Sequence, residues 1–219
     1  NYRTESLFDE YEYGAAIKNY LKINNDWRAQ SFLKISKINY GGEDYQTIAK
    51  LGAKAKYSIS RNEGIYLRYG YEDIKSDSVI FDYLEGWRQK IRAEYRQYNK
   101  KFIGKIYYEL ELNNRNDLST TAGDFSYSPT RNTLRGKYIR IFSKKWHLTG
   151  DLAYRVSDYP ATANQDRTDQ RSKASVYVDY RFDKTFKLRM KAENTDNQST
   201  EDIFDYRRSV YTVALSKLF

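Results

Sequence analysis

The chain lacks cysteine, holds two prolines and one histidine, and has no run near the roughly 18 apolar residues of a membrane-spanning helix. Absence of cysteine excludes disulfide staples and thiolate metal sites. A lone histidine leaves no cluster for a transition metal, so no metal or cofactor is expected. Aspartate- and asparagine-rich stretches such as 113–117 offer oxygen atoms of the kind calcium takes as ligands. The chain opens on Asn1 with neither Met nor a signal peptide, which reads as a processed product or a fragment.

Tyrosine is abundant instead, at 23 residues, beside 10 Phe and 3 Trp. Charged residues make up 31%, mean hydropathy is −0.89, and the net charge of +9 implies an anionic partner. A negative mean hydropathy does not exclude membrane strands, because alternating strands average their two faces.

Five short polar turns are each followed by a large apolar residue: Trp27, Ile65, Phe102, Trp146 and Phe186. These openers recur at intervals of 38, 37, 44 and 40 residues. One tight turn per period of about 40 describes a train of β-hairpins. The long connections between them, 37–44, 73–86, 113–130, 157–172 and 195–207, are rich in Asn, Asp, Ser and Thr. Strands of about ten residues are expected between short turns on one side and long loops on the other. That is the asymmetry of an antiparallel up-and-down transmembrane β-barrel.

Eleven strands are readable over residues 14–219. Period two gives uncharged stripes such as Phe186/Leu188/Met190/Ala192 and Trp146/Leu148/Gly150/Leu152/Tyr154/Val156. Arg140 shares the parity of Leu134 and Tyr138, so it is expected near a rim or beside a bulge. An even strand number is expected of such a barrel, so residues 1–13 read as an N-terminal segment or partial first strand. The expected total is twelve.

The opposite faces are basic. Lys18, Lys22, Arg28, Lys34, Lys50, Lys105 and Arg155 belong to them. So do the candidate substrate-binding, pore-lining residues Lys54, Lys56, Arg68, Arg88, Lys90, Arg92, Arg96, Arg135, Lys137, Arg181, Lys187, Arg189 and Lys191. Interleaved acids (Glu72, Glu94, Glu109, Glu111, Asp151, Asp179, Glu193) are fewer. Two readings remain open: ion pairs bracing the face, or a ladder of cations along which carboxylates pass, since guanidinium groups bind carboxylates in paired hydrogen bonds. Tyr66, Tyr107 and Tyr177 share this parity and offer rings to stack on sugars or to fill space.

The last nine residues, Tyr211 to Phe219, alternate Tyr211, Val213 and Leu215 before a terminal aromatic. This segment resembles the closing strand of bacterial outer-membrane barrels. The basic track resembles that of small, roughly twelve-stranded porins for acidic oligosaccharides. The hairpin Phe204-Asp205-Tyr206-Arg207-Arg208-Ser209-Val210 is similar to barrel domains of exopolysaccharide-export and surface-lipoprotein-export proteins. These resemblances imply a Gram-negative outer-membrane location and an anion-selective channel for acidic oligosaccharides. They also imply contact with the lipid bilayer, lipopolysaccharide and, through 211–219, the barrel-assembly machinery.

Three alternatives compete. A non-conducting barrel could anchor or scaffold a larger envelope complex. An enzyme would need partners for His147, and Asp151, four residues along one strand, lies about 13 Å away, too far for a dyad. No GxSxG elbow is present. A nucleic-acid-binding β protein would gather its cations in one groove, whereas here they spread over nearly every strand, so no nucleic-acid partner is expected.

Overall fold

The structure, a computed structural model, describes residues 10–40, 43–116, 126–162, 165–183 and 185–217. Eleven antiparallel strands form one sheet in chain order. They are β1 (Glu10–Lys22), β2 (Trp27–Tyr40), β3 (Glu43–Ser60), β4 (Glu63–Ser76), β5 (Gly86–Tyr98) and β6 (Phe102–Arg115). The series continues with β7 (Thr130–Ile141), β8 (Trp146–Thr162), β9 (Gln165–Arg181), β10 (Phe186–Ser199) and β11 (Tyr206–Lys217).

The sheet is open. Among the described residues β1 pairs only with β2 and β11 only with β10. This overturns the closed twelve-stranded barrel. Eleven strands joined only to antiparallel neighbours leave the first and last running the same way, so the antiparallel ladder cannot be completed between them. The channel falls with closure, because an open sheet encloses no lumen. The outer-membrane placement falls too: an unpaired strand edge in hydrocarbon would leave backbone N–H and C=O groups unsatisfied. With it go the porin and export-barrel resemblance, the scaffolding barrel, and the bilayer, lipopolysaccharide and assembly-machinery partners. Phe219, on which the terminal resemblance turned, lies outside the described residues. Among those residues no helix is long and apolar enough to cross a membrane.

The long connections are also shorter than expected. β3, β8 and β9 run to 18, 17 and 17 residues and consume most of two of the polar stretches read as loops, 37–44 and 157–172. Polar side chains continue the hairpins rather than ending them. Lys37 and Asn39 reach Asp44, Thr168 donates to Asp158, and Ser199 donates to Asp169. Between β4 and β5 the chain makes a 3-10 turn, Val79–Leu84, and re-enters the sheet at Gly86 with φ +137°. A Cβ there would sit 2.0 Å from the Asn114 carbonyl oxygen, so only glycine fits.

Each short turn is held by a side chain near its start. The Asn24 Oδ1 accepts from the N–H groups of Asp26 and Trp27, the Ser143 Oγ from Lys145 and Trp146, and the Asp183 Oδ1 from Thr185 and Phe186. Ser60 and Asn99 do the same for Asn62 and Lys101. These bonds replace ladder partners that the turn removes.

Period two separates the faces without a break. One rung reads Leu21, Ala29, Ala55, Leu67, Ala93, Tyr108, Leu134 and Tyr154 across β1 to β8. The neighbouring rung on the other face reads Lys22, Arg28, Lys56, Tyr66, Glu94, Tyr107 and Arg135. The apolar face is the exposed one, with Leu67 at 49%, Leu134 at 51% and Leu152 at 65%, whereas Glu94 and Asp151 on the charged face are each 4% exposed. Arg140 stands on the apolar side opposite Phe102 and Leu148, close to the short turn, with no register shift in β7. Among the described residues buried apolar side chains are few: Pro129, and Ile48 and Ile74, cross-strand neighbours at the long-hairpin end.

Replacing Asn24 by Ala removes two backbone acceptors at once. It should lower the unfolding free energy by about 1 kcal/mol in urea titration, while Asn25→Ala changes it little.

Candidate anion-binding face

Acids on the charged face stand where they meet cations from adjacent strands or two residues along their own. Glu72 is shared by Lys50 (3.7 Å) and Arg88, and Glu94 by Arg68 (3.6 Å) and Arg96. Glu111 takes Lys90 (2.8 Å) and Arg131 (2.6 Å), and Glu193 takes Lys173 (2.8 Å) and Lys191 (2.7 Å). Single pairs join Arg92 to Glu109, Arg135 to Asp151 and Arg189 to Asp179. The last two are two-pronged, with both carboxylate oxygens accepting at 2.6–2.8 Å. Of the thirteen candidate residues, Arg68, Arg88, Lys90, Arg92, Arg96, Arg135, Arg189 and Lys191 are therefore occupied by carboxylates of the chain itself.

Burial opposes ionisation of Glu111, but hydrogen bonds from Lys90 and Asn113 and the charges of Lys90 and Arg131 outweigh it, holding the carboxyl at about 2. Hydrogen bonds from Lys173 and Lys191 hold Glu193 at about 2 as well. Arg189 keeps the Asp179 carboxyl below its usual range, chiefly through its hydrogen bond.

The remaining candidates, Lys54, Lys56, Lys137, Arg181 and Lys187, make no ion pair within 4 Å among the described residues. Among the described residues four pairs of cations face each other directly across strands with neither member in an ion pair: Arg28 with Lys56, Lys105 with Lys137, Arg181 with Lys187, and Arg155 with Arg171. The first three lie toward the short-turn end, the fourth in the middle of β8 and β9. Lys22 extends the first pair to a row of three. Directly opposed like charges destabilise a sheet, so these positions hold repulsion that a bound anion relieves. Beside the first pair opens a cleft of about 380 Å³ lined by Arg28, Lys56, Arg61, Asn62, Tyr66 and Tyr98.

Lys22, Arg28 and Lys105 carry the right parity in the sequence, but their place in this group depends on register. Nothing in the sequence separates Arg88, matched to Glu72, from Lys56, which has no match.

The tyrosines of this face are platforms for cations. Arg96 and Lys56 lie over Tyr66 at 4.3 and 5.7 Å, Arg92 over Tyr107 at 4.3 Å, and Lys137, Arg189 and Lys191 over Tyr177 at 5.6–5.9 Å. A sugar ring or base would have to displace them to stack. His147 stands across from Asp179, whose two oxygens are already taken by Arg189. Among the described residues no group of three or more His, Asp or Glu side chains is arranged to hold a metal ion.

No family model matches the chain, and no curated protein is similar to it. One solved structure, from work described as "Unveiling the Mechanism Behind the in-meso Crystallization of Membrane Proteins", aligns with 95% of this chain and 83% of its own. It is 12% identical with a TM-score of 0.39, too low to carry an argument about fold or function.

The acid side of the pH profile follows from Glu111 and Glu193. Their folded values lie below the ordinary 4.5, so the stability they contribute is complete above that value and lost as pH falls toward about 2. Glu111→Gln should flatten the decline in melting temperature between about pH 5 and pH 2, measured by circular dichroism, and lower it at pH 7.

Proposed function

We propose that the chain is a non-catalytic binding module whose charged face holds an extended polyanion, an acidic polysaccharide, across its short-turn end. The carrying observation is that three of the four cross-strand cation pairs without a carboxylate gather at the short-turn end, Arg28/Lys56 above all. Neighbouring strands lie ~4.8 Å apart, so a chain crossing them meets a cation on each of β1, β2 and β3. Carboxylates or sulfates recurring along a polymer match such a row, and many weak contacts hold it without a deep pocket. The capped tyrosine rings favour recognition of charge over stacking, which speaks against single-stranded nucleic acid, whose binding draws on free aromatic faces.

Calorimetric titration with oligogalacturonate tests this. The wild-type chain should bind, binding should weaken with salt as screening shortens, and a neutral galactose oligomer should not bind. R28E/K56E should bind about tenfold more weakly or worse, because each cation lost removes a charge-assisted contact. Equal binding of the neutral oligomer, equal binding by the double variant, or tighter binding of single-stranded DNA would each overturn the proposal.

A further inference from the structure

Among the described residues β1 is a long edge with no strand paired on its outer side. All thirteen residues are exposed, and the strand has neither a proline nor a register shift against β2. Natural sheets blunt such edges because their unpaired backbone groups template the addition of another strand. The N–H of Ile23 points to the Trp27 carbonyl oxygen of β2. By strand alternation the odd residues of β1 face β2, and the even residues from Glu10 to Lys22 turn their N–H and C=O outward.

We infer that this edge pairs with the same edge of a second copy, β1 against β1 across a two-fold axis normal to the sheet. Symmetry and chemistry select that partner. Joining two sheets edge to edge in antiparallel fashion while keeping apolar face with apolar face requires a two-fold along the sheet normal. That axis brings β1 to β1 or β11 to β11. A junction of β1 with β11 is either parallel or puts the apolar face of one copy beside the charged face of the other.

Of the two isologous edges only β1 is complementary to itself. Its first half carries Glu10 and Glu12 and its second half Lys18 and Lys22. β11 carries Arg207, Arg208 and Lys217 and no acid, so no register against itself offers an opposite-charge pair.

One register uses the whole strand. It sets Glu10 opposite Lys22 of the second copy, twice by symmetry, with Tyr11 opposite Leu21, Ala15 opposite Ile17, and Ala16 on the axis opposite its own copy. No like charges oppose each other, and every outward N–H and C=O gains a partner. Lys22 is neutralised in this arrangement, which shortens the row open to a polyanion to Arg28 and Lys56; R28E/K56E leaves the β1 edge unchanged, so it tests polyanion binding apart from the dimer.

The test exploits the absence of cysteine. In a hydrogen-bonded antiparallel pair opposed Cα atoms lie ~5.5 Å apart, within disulfide reach. Ala16→Cys should give a covalent dimer on mild oxidation. Thr212→Cys on the β11 edge and Leu152→Cys on the apolar face should not. Sedimentation of the unmodified chain should show a dimer. Glu10→Lys should weaken it about tenfold, and Glu10→Lys with Lys22→Glu should restore it. A monomer at every concentration, preferential cross-linking at Thr212→Cys or Leu152→Cys, or no effect of the charge reversals would overturn the inference.

Discussion

A carboxylate held between two cations is the interaction on which the charged face depends. Glu94, Glu111 and Glu193 are among the most sheltered polar side chains of the chain, and each is held by two positive groups. An unpaired carboxylate at that depth would be costly, so the acids are positioned by the cations around them. The converse also holds. Arg68 and Arg92 stand directly opposite each other, each held by an acid of its own, Glu94 and Glu109. Where acids run out, the same lattice of strands turns from self-neutralising to anion-seeking.

Much of the strand pattern is legible in the sequence, because period two and the polar turn openers are local properties. Trp27, Phe102, Trp146 and Phe186 each begin a strand where the openers stand, and the two faces alternate as their parity requires. The long connections were less legible. Segments such as 157–172 are rich in turn-forming residues, yet their side chains bond across the hairpin, so the ladder continues to Thr162 and resumes at Gln165. Propensity registers that Asp, Ser and Thr compete with the backbone; it does not register that a partner strand stands ready to receive them.

Closure was not legible, since alternation is identical in an open sheet and a closed one. What differs is the relation between β1 and β11, two segments nearly the whole chain apart whose pairing no local pattern specifies. The odd strand number was visible, and a missing twelfth strand was one way to resolve it. Among the described residues the end strands run the same way and do not pair with each other. The candidate site divides along the same line. Which basic residues share the charged face follows from parity; which are free follows from register between strands tens of residues apart.

One cause of the open cationic region does lie in plain view. β2 contains no carboxylate, and β3 contains none after Asp44. Two adjacent strands without acids cannot neutralise their own lysines and arginines across the ladder they share. Arg28 and Lys56 must then look to β1 or β4, and β1 carries its acids at the opposite end, where Glu12 is engaged by Lys34. On the other side Lys56 faces Tyr66, which offers a ring and not a charge. Excess charge at this corner therefore follows from the distribution of acids among the strands, and the overall +9 only permits it. A chain of equal net charge with glutamate in place of Gln30, two residues from Arg28 on the same face and opposite Lys54, would have a paired lattice here and less reason to bind an anion.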